Sequence, residues 1–207
     1  APKLLFKEAF SYLSVSKREE LRVAVHIAKK ELTQNIDNHE MNVLEFKDFG
    51  SDKIKQSGFS PDAFVQMAFQ LASRYCFGET VGTYESSHTR RFLHGRTETT
   101  RSVSIQSVNF CNVMNDPSSP FDAQLEALNQ ALDSHVTYIR NAVLGRGVDR
   151  HFFGLQMSFK HGETVPDLLK HPVFEKSKLW TLSTSTLPNT RPGFGNVDPQ
   201  GVGIGYD

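Results

Sequence analysis

From Tyr84 to Ser104 the chain reads Tyr-Glu-Ser-Ser-His-Thr-Arg-Arg-Phe-Leu-His-Gly-Arg-Thr-Glu-Thr-Thr-Arg-Ser-Val-Ser, with almost no apolar periodicity. Such a segment has no hydrophobic face to bury and cannot seed a layer of its own. It is either a solvated loop or a polar element that neighbours on both sides must hold in place. The flanks therefore decide which.

Those flanks carry strong helix punctuation. Ser60-Pro61-Asp62 places a capping serine, a proline at the first helical position and an acid in the first turn. Phe64, Ala68, Leu71 and Tyr75 follow at helical spacing as its expected buried stripe, and Gly78 is a natural stop. Ser119-Pro120 opens a second helix, with Leu125, Leu128, Leu132, Val136, Ile139 and Val143 as core face and Gly145 as its end. Gly147 to His151 opens a third helical stretch, and Pro166 to Phe174 is a short helix or turn. Nearer the start, Ser16 and Glu19 have capping-box spacing ahead of Leu21, Ala24, Val25, Ala28, Leu32 and Ile36. Met41–Phe46, Val81–Glu85 and Leu179–Ser183 read as strands. Residues 105–113 fit helix or strand equally. Helices and strands interleave without a linker or repeat, which gives one α/β domain over 1–207.

Composition narrows the class further. Lys plus Arg and Asp plus Glu each number 23 in 207 residues, so no basic field invites nucleic acid. Cys76 and Cys111 have neither metal nor Cys-x-x-Cys spacing and sit among apolar residues. They are expected to be buried free thiols. No apolar run approaches the length of a membrane span. The Gly201-Val202-Gly203-Ile204-Gly205 run mimics a dinucleotide loop, but no helix follows it.

Six phrases in order resemble the choline/carnitine acyltransferase family. They are Ile54-Lys55, Ser60 to Gln66, Thr83-Tyr84-Glu85-Ser86, Gly95-Arg96-Thr97-Glu98-Thr99, Gly147-Val148-Asp149-Arg150-His151 and Leu182-Ser183-Thr184-Ser185-Thr186, with a looser glycine-rich match from Gly193 to Tyr206. The resemblance implies one of the family's two domains: an α/β, chloramphenicol-acetyltransferase-like two-layer sandwich whose mixed sheet is flanked by helices. It places the chain as most of the second domain, truncated at its C-terminal end, and as a piece of a longer protein. The partner it implies is the first domain of that protein, which carries the catalytic histidine.

The chemistry implied is reversible acyl transfer between coenzyme A and carnitine, with acyl-CoA or coenzyme A as co-substrate and no permanently bound cofactor or metal. The catalytic base lies outside this chain, which is expected to be inactive alone. His151 belongs to the Asp-Arg-His phrase and is expected to be a satisfied structural histidine. Ser185, with Ser183, matches the family's oxyanion-stabilising pair; neutral donors suit a developing oxyanion in a dry site. Tyr84, Ser86, Thr97 and Arg150 match the carnitine-binding positions, where hydroxyls and one guanidinium would satisfy a carboxylate. Phe194 would face the trimethylammonium group. Lys53, Lys55, Ser60, Asp62 and Glu85 match the coenzyme A-binding positions, although Ser51 stands where relatives often carry a lysine. Thr97 and Arg150 favour carnitine over the choline branch.

Pro192 and Gly193, small and turn-forming, suggest room for medium or long acyl chains, as in carnitine palmitoyltransferases. The resemblance implies a mitochondrial or, alternatively, a peroxisomal setting in fatty acid metabolism. It leaves membrane association to parts of the protein outside this stretch. The competing readings are a non-catalytic coenzyme A or acylcarnitine binding module and a member of the choline acetyltransferase branch.

Overall fold

A computed structural model describes residues 14–160, 162–186 and 200–206. The chain divides into two compact units, Ala1–Lys47 and Asp48–Asp207.

The described part of the first unit is dominated by helix α1 (Val15–Asp37), none of whose residues is buried. Its cap is Ser14, whose side chain accepts from the Lys17 backbone N–H at 3.3 Å. The expected Ser16–Glu19 box is not formed, because the helix has already begun at Val15 and Glu19 turns to Arg22. Residues Met41–Phe46, expected as a strand, have no regular secondary structure, and Val43 and Leu44 are exposed. A β-favouring run without a ladder partner does not become a strand.

The second unit contains the sheet. Helix α2 (Ser51–Gln56) is anchored by buried Ile54. Helix α3 (Pro61–Phe77) starts as its sequence requires, with the Ser60 hydroxyl accepting from Ala63 N–H and Gly78 closing the helix at φ 72°. Strands β1 (Thr83–His88) and β2 (Thr97–Arg101) form an antiparallel hairpin. Helix α4 (Ile105–Asn115) carries a reciprocal Ser104–Ser107 capping box, which settles the open 105–113 region. Helix α5 (Phe121–Val143) is followed by α6 (Asp149–Ser158), α7 (Asp167–Lys170) and α8 (Pro172–Lys176). Strands β3 (Leu182–Thr186) and β4 (Val202–Tyr206) complete a four-stranded mixed sheet of order β2-β1-β3-β4. β1, β3 and β4 run parallel. This is the α/β architecture expected. The glycine run at 201–205 does not form a dinucleotide loop: Gly201 is a bend and residues 202–205 lie in β4.

The apolar core lies among three helices. Ala63 and Met67 of α3, Phe110 and Cys111 of α4, and Ala127, Ala131 and Leu132 of α5 are buried together. Small alanines let these helices approach closely. Of the expected stripes, Phe64 and Leu71 of α3 and Leu128 and Val136 of α5 pack half-buried against this core, but the fully buried positions also include polar residues. On α3 the buried positions are Ala63, Gln66, Met67, Gln70 and Ser73, whereas Ala68 and Tyr75 of the expected stripe are exposed. On α5 they are Ala127, Ala131, Leu132, His135 and Ala142. Gln66 and Gln70 turn inward because the sheet offers them hydroxyls to bind, and His135 because Glu85 and Asp62 face it. Cys111 is buried, but Cys76, also expected inside, is exposed at the last turn of α3.

Candidate functional site

The long polar segment folds as β1, a turn and β2, and successive side chains alternate between the two faces of the sheet. Register then sorts the chemistry. Tyr84 aligns with Arg101 and Ser183, Ser86 with Thr99, and His88 with Thr97. Ser183 and Ser185 align with Gly203 and Gly205. These residues share one face, whose β4 column carries no side chains, and the Ser86 and Ser185 hydroxyls lie 3.4 Å apart on it. Ser183 is buried, whereas Tyr84, Ser86 and Ser185 keep partial exposure.

At the end of this face Arg150 closes onto β2. Its Nε donates to the Thr97 carbonyl at 3.1 Å, and Nη2 lies 3.4 Å from the Thr97 hydroxyl. Thr97, Arg150, His151, Glu98 and Gly147 line a cleft of about 410 Å³. Buried Glu98 fixes this corner, accepting from Thr99 N–H at 2.7 Å and from Arg150 N–H at 3.3 Å at the start of α6. A Cβ on Gly147 would collide with that Glu98 side chain, and one on Gly95 with the Thr89 carbonyl. Both signature glycines are therefore close-approach positions. Arg101 adds a bidentate pair to Asp149 (2.6 and 3.1 Å), donates to the Ser177 carbonyl at 2.8 Å, and stacks 4.6 Å over Trp180. His151 is exposed at the cleft, without a hydrogen-bond partner among the described residues. It is not the satisfied structural histidine expected.

The opposite face points into the helices. There Thr83, Glu85, Thr100 and Thr184 are buried. Gln66 donates to Thr184 at 2.9 Å and Tyr206 at 3.0 Å and accepts from Ser102 at 3.1 Å; Gln70 donates to Thr83 at 3.1 Å. Asp62, in the first turn of α3, accepts from Tyr206 at 2.6 Å and Thr186 at 3.0 Å, at the carboxyl ends of β4 and β3. That is the edge at which open α/β sheets usually take ligands.

His135 projects from α5 between two acids. Its Nε2 is 3.1 Å from Glu85 Oε2 and 3.8 Å from Asp62 Oδ2, an ion-pair geometry rather than an aligned hydrogen bond, and Nδ1 has no partner among the described residues. Burial would lower the imidazole, but the two carboxylates outweigh it and hold it up at about 9. Burial raises Glu85 above the usual carboxylate range, with His135 pulling the other way. For Asp62, burial is outweighed by His135, Tyr206 and Thr186, so its carboxyl stays below that range. Each of the three offers a ligand-type atom within 4.8 Å of the others. With His135 protonated, the triad carries its own cation.

The structure thus gathers Tyr84, Ser86, Thr97, Arg150, Ser183 and Ser185 on one face and joins Asp62 to Glu85 on the other. Ser60 is engaged as a helix cap, and Lys53 and Lys55 lie exposed on the last turn of α2, where they also complement its dipole. Phe194, Pro192 and Gly193 lie outside the described residues. His135 is the residue the sequence reading missed. Its signal was a histidine three residues after Leu132, on the face of α5 turned inward, where a polar group needs a partner.

The sequence profile of the family described as choline/carnitine O-acyltransferase matches residues 6–207. The chain is 37% identical over 187 residues to a mitochondrial carnitine O-acetyltransferase of Saccharomyces cerevisiae, covering 88% of this chain and 28% of that protein. It is 35% identical over 192 residues to a carnitine O-acetyltransferase of Homo sapiens, covering 91% and 31%. Against a mitochondrial carnitine O-palmitoyltransferase 2 of Mus musculus it is 34% identical over 200 residues, covering 94% and 30%. The chain belongs to the choline/carnitine O-acyltransferase family. It spans about three tenths of the length of these relatives.

Proposed function

We propose that this chain supplies the carnitine- and coenzyme A-binding half of a carnitine O-acyltransferase, which moves an acyl group reversibly between coenzyme A and the carnitine hydroxyl. The observation that carries the reading is the contact between Thr97 and Arg150 beside a face of hydroxyls. A guanidinium already oriented by a strand, next to an open cleft, suits a carboxylate, and choline has none. Tyr84 and Ser86 complete that carboxylate end, and Phe194 would meet the trimethylammonium group.

Ser185, assisted by Ser183, would donate to the oxyanion as the carnitine oxygen attacks the thioester carbonyl. The proton from that hydroxyl goes to a base outside this chain. His135 cannot serve as that base near neutral pH, since it is held protonated between two acids. Asp62 and Glu85 would receive the pantetheine arm, with Lys53, Lys55 and the N-terminal turn opened by Ser60 towards the phosphates. Among the described residues no helix is long and apolar enough to cross a membrane. The mitochondrial names of two relatives favour a mitochondrial over a peroxisomal setting. Medium or long acyl chains are the length favoured by Pro192 and Gly193.

The test is carnitine-dependent thiol release from acetyl-CoA and palmitoyl-CoA, with this chain alone and with the family's first domain added. Silence alone and turnover on recombination is the expected result, faster with palmitoyl-CoA. Arg150→Ala should then raise the carnitine KM ~10–100-fold, the worth of one charge-assisted hydrogen bond. Turnover by the chain alone, or an Arg150→Ala variant with unchanged carnitine KM, would overturn the assignment.

A further inference from the structure

We propose that His135 is a positioning residue for coenzyme A, keeping buried Glu85 and partly open Asp62 both ionised so that the Asp62 carboxylate can accept from the amide groups of the pantetheine arm. This rests on the coenzyme A reading of Asp62 and Glu85 given above.

A buried ion triad is a poor device for stability alone. Desolvating the charges costs about as much as their attraction returns, and an apolar residue of similar size packs at least as well. The inward face of α5 otherwise follows that rule, with Ala127, Ala131, Leu132 and Ala142 buried. A histidine among them whose side chain is 1% exposed calls for another reason. Geometry supplies one. Asp62 and Glu85 come from α3 and β1, and their oxygens fall within 4.8 Å of one another. Two carboxylates that close, one of them buried, share a proton unless a cation intervenes. A shared proton would make one of them a donor, wrongly poised for ligand N–H groups. The imidazole ring stands where it cancels that repulsion, held by the packing of Ala131 and Leu132 one turn earlier. Asp62 alone remains partly open, its side chain 34% exposed, so the outer end of the triad is the one a ligand can reach. Tyr206 and Thr186 occupy Oδ1, whereas Oδ2 faces His135.

The groups facing His135 are Asp62 from α3 and Glu85 from β1; no other residue among those described lies within ion-pair distance of it. Tyr206 of β4 joins through Asp62, and its phenol is pushed well above the usual range by burial, so it stays neutral throughout. The pair should therefore be assembled near neutral pH, lost in acid as the carboxylates, Glu85 first, take up protons, and lost in alkali as the imidazole deprotonates around pH 9.

The experiment has two arms on the full chain. Imidazole titration by NMR with labelled histidine, assigned through His135→Gln, should place His135 near pH 9 in wild type and well below that in Glu85→Gln. A wild-type midpoint at or below 6.5 overturns the proposal. Calorimetric titration with desulpho-coenzyme A, which has no thiol to ionise, should show affinity nearly steady from pH 6 to 8 and about 3-fold weaker by pH 9.5, where roughly a quarter of an imidazole with its midpoint at about 9 is still protonated. His135→Gln should bind about 10-fold more weakly at pH 7 with a flat profile, the conversion being 1.4 kcal/mol per decade. If wild type binds with no pH dependence and His135→Gln binds equally well, His135 does not position the pair and the coenzyme A reading stands. If wild type fails to bind, or Asp62→Asn binds as wild type does, the coenzyme A reading falls and takes this inference with it. Should His135→Gln not fold, the wild-type titration and affinity profile still decide.

Discussion

On the open face of the sheet, the Ser86 and Ser185 hydroxyls stand 3.4 Å apart and remain partly accessible; on the helix-covered face, Ser87 and Thr100 close to 2.6 Å and are buried. Both are hydroxyl pairs that include a β1 serine, Ser86 reaching across to β3 and Ser87 to β2. What differs is how completely each hydroxyl is engaged. Inside, Thr184 accepts from Gln66 and donates to the Tyr84 carbonyl, which commits its single proton, and burial closes it to a ligand. Outside, Ser185 makes, among the described residues, the long contact to Ser86 and a 3.3 Å bond to the Thr186 carbonyl, so it can turn to another acceptor. A hydroxyl strand thus does two jobs: its inner column stabilises a polar interface, and its outer column is available for chemistry. The lesson is that satisfaction, rather than polarity, separates scaffold from site.

The largest expected effect tests the outer column. Ser185→Ala removes one donor to a developing oxyanion and should lower kcat of the recombined enzyme ~10²–10³-fold, with the unfolding midpoint unchanged. A stability loss comparable to that of an inner-column change would erase the distinction between the faces. So would unaltered turnover.

The inner face should instead announce itself through pH-dependent stability. His135 is raised in the fold to about 9 from 6.5, so the folded state binds its proton more tightly than the unfolded chain does. Its contribution is complete below pH 6.5 and declines as pH rises towards 9, by at most about 3 kcal/mol at 1.36 kcal/mol per unit. Asp62 works in the other direction, lowered in the fold, so its contribution is lost as pH falls towards and below 3.8. Urea unfolding across pH 6–9.5 should show the alkaline decline in wild type and not in His135→Gln. A flat wild-type curve would mean that His135 is neutral in the fold and that the inner face holds no imidazolium.

Local chemistry was legible in the sequence: Ser60-Pro61 started α3, and Gly78 and Gly145 ended α3 and α5. Long-range polarity was not. Choosing a helix face by its apolar stripe assumes an apolar partner, yet the surface facing α3 is Thr83, Thr184, Ser102 and Tyr206. Gln66 and Gln70 therefore turned inward and Tyr75 outward. The same blindness hid β4, whose Gly203 and Gly205 carry no strand signal and gain their conformation from pairing with Ser183 and Ser185. It also hid His135, whose partners sit 50 and 73 residues away in sequence, at Glu85 and Asp62.

The finest discrimination lies within the inner face itself, between two glutamines one helical turn apart on α3. Both are buried and both bind a strand hydroxyl, so residue type and depth predict equal costs of replacement. Hydrogen-bond bookkeeping predicts otherwise. Gln66 engages Thr184, Tyr206 and Ser102, whereas the Gln70 side chain engages Thr83, which also donates to the Val81 carbonyl. Gln66→Leu leaves Ser102 with only a long 3.3 Å contact to Glu85 and disturbs the phenol that caps Asp62; a cost of about 2–3 kcal/mol is expected for a group left short of partners. Gln70→Leu orphans nothing that lacks a second partner and should cost about 1 kcal/mol or less. Equal shifts in the urea midpoint would show that burial alone sets the energetics of this face, and the engagement argument would fail at its most sensitive point.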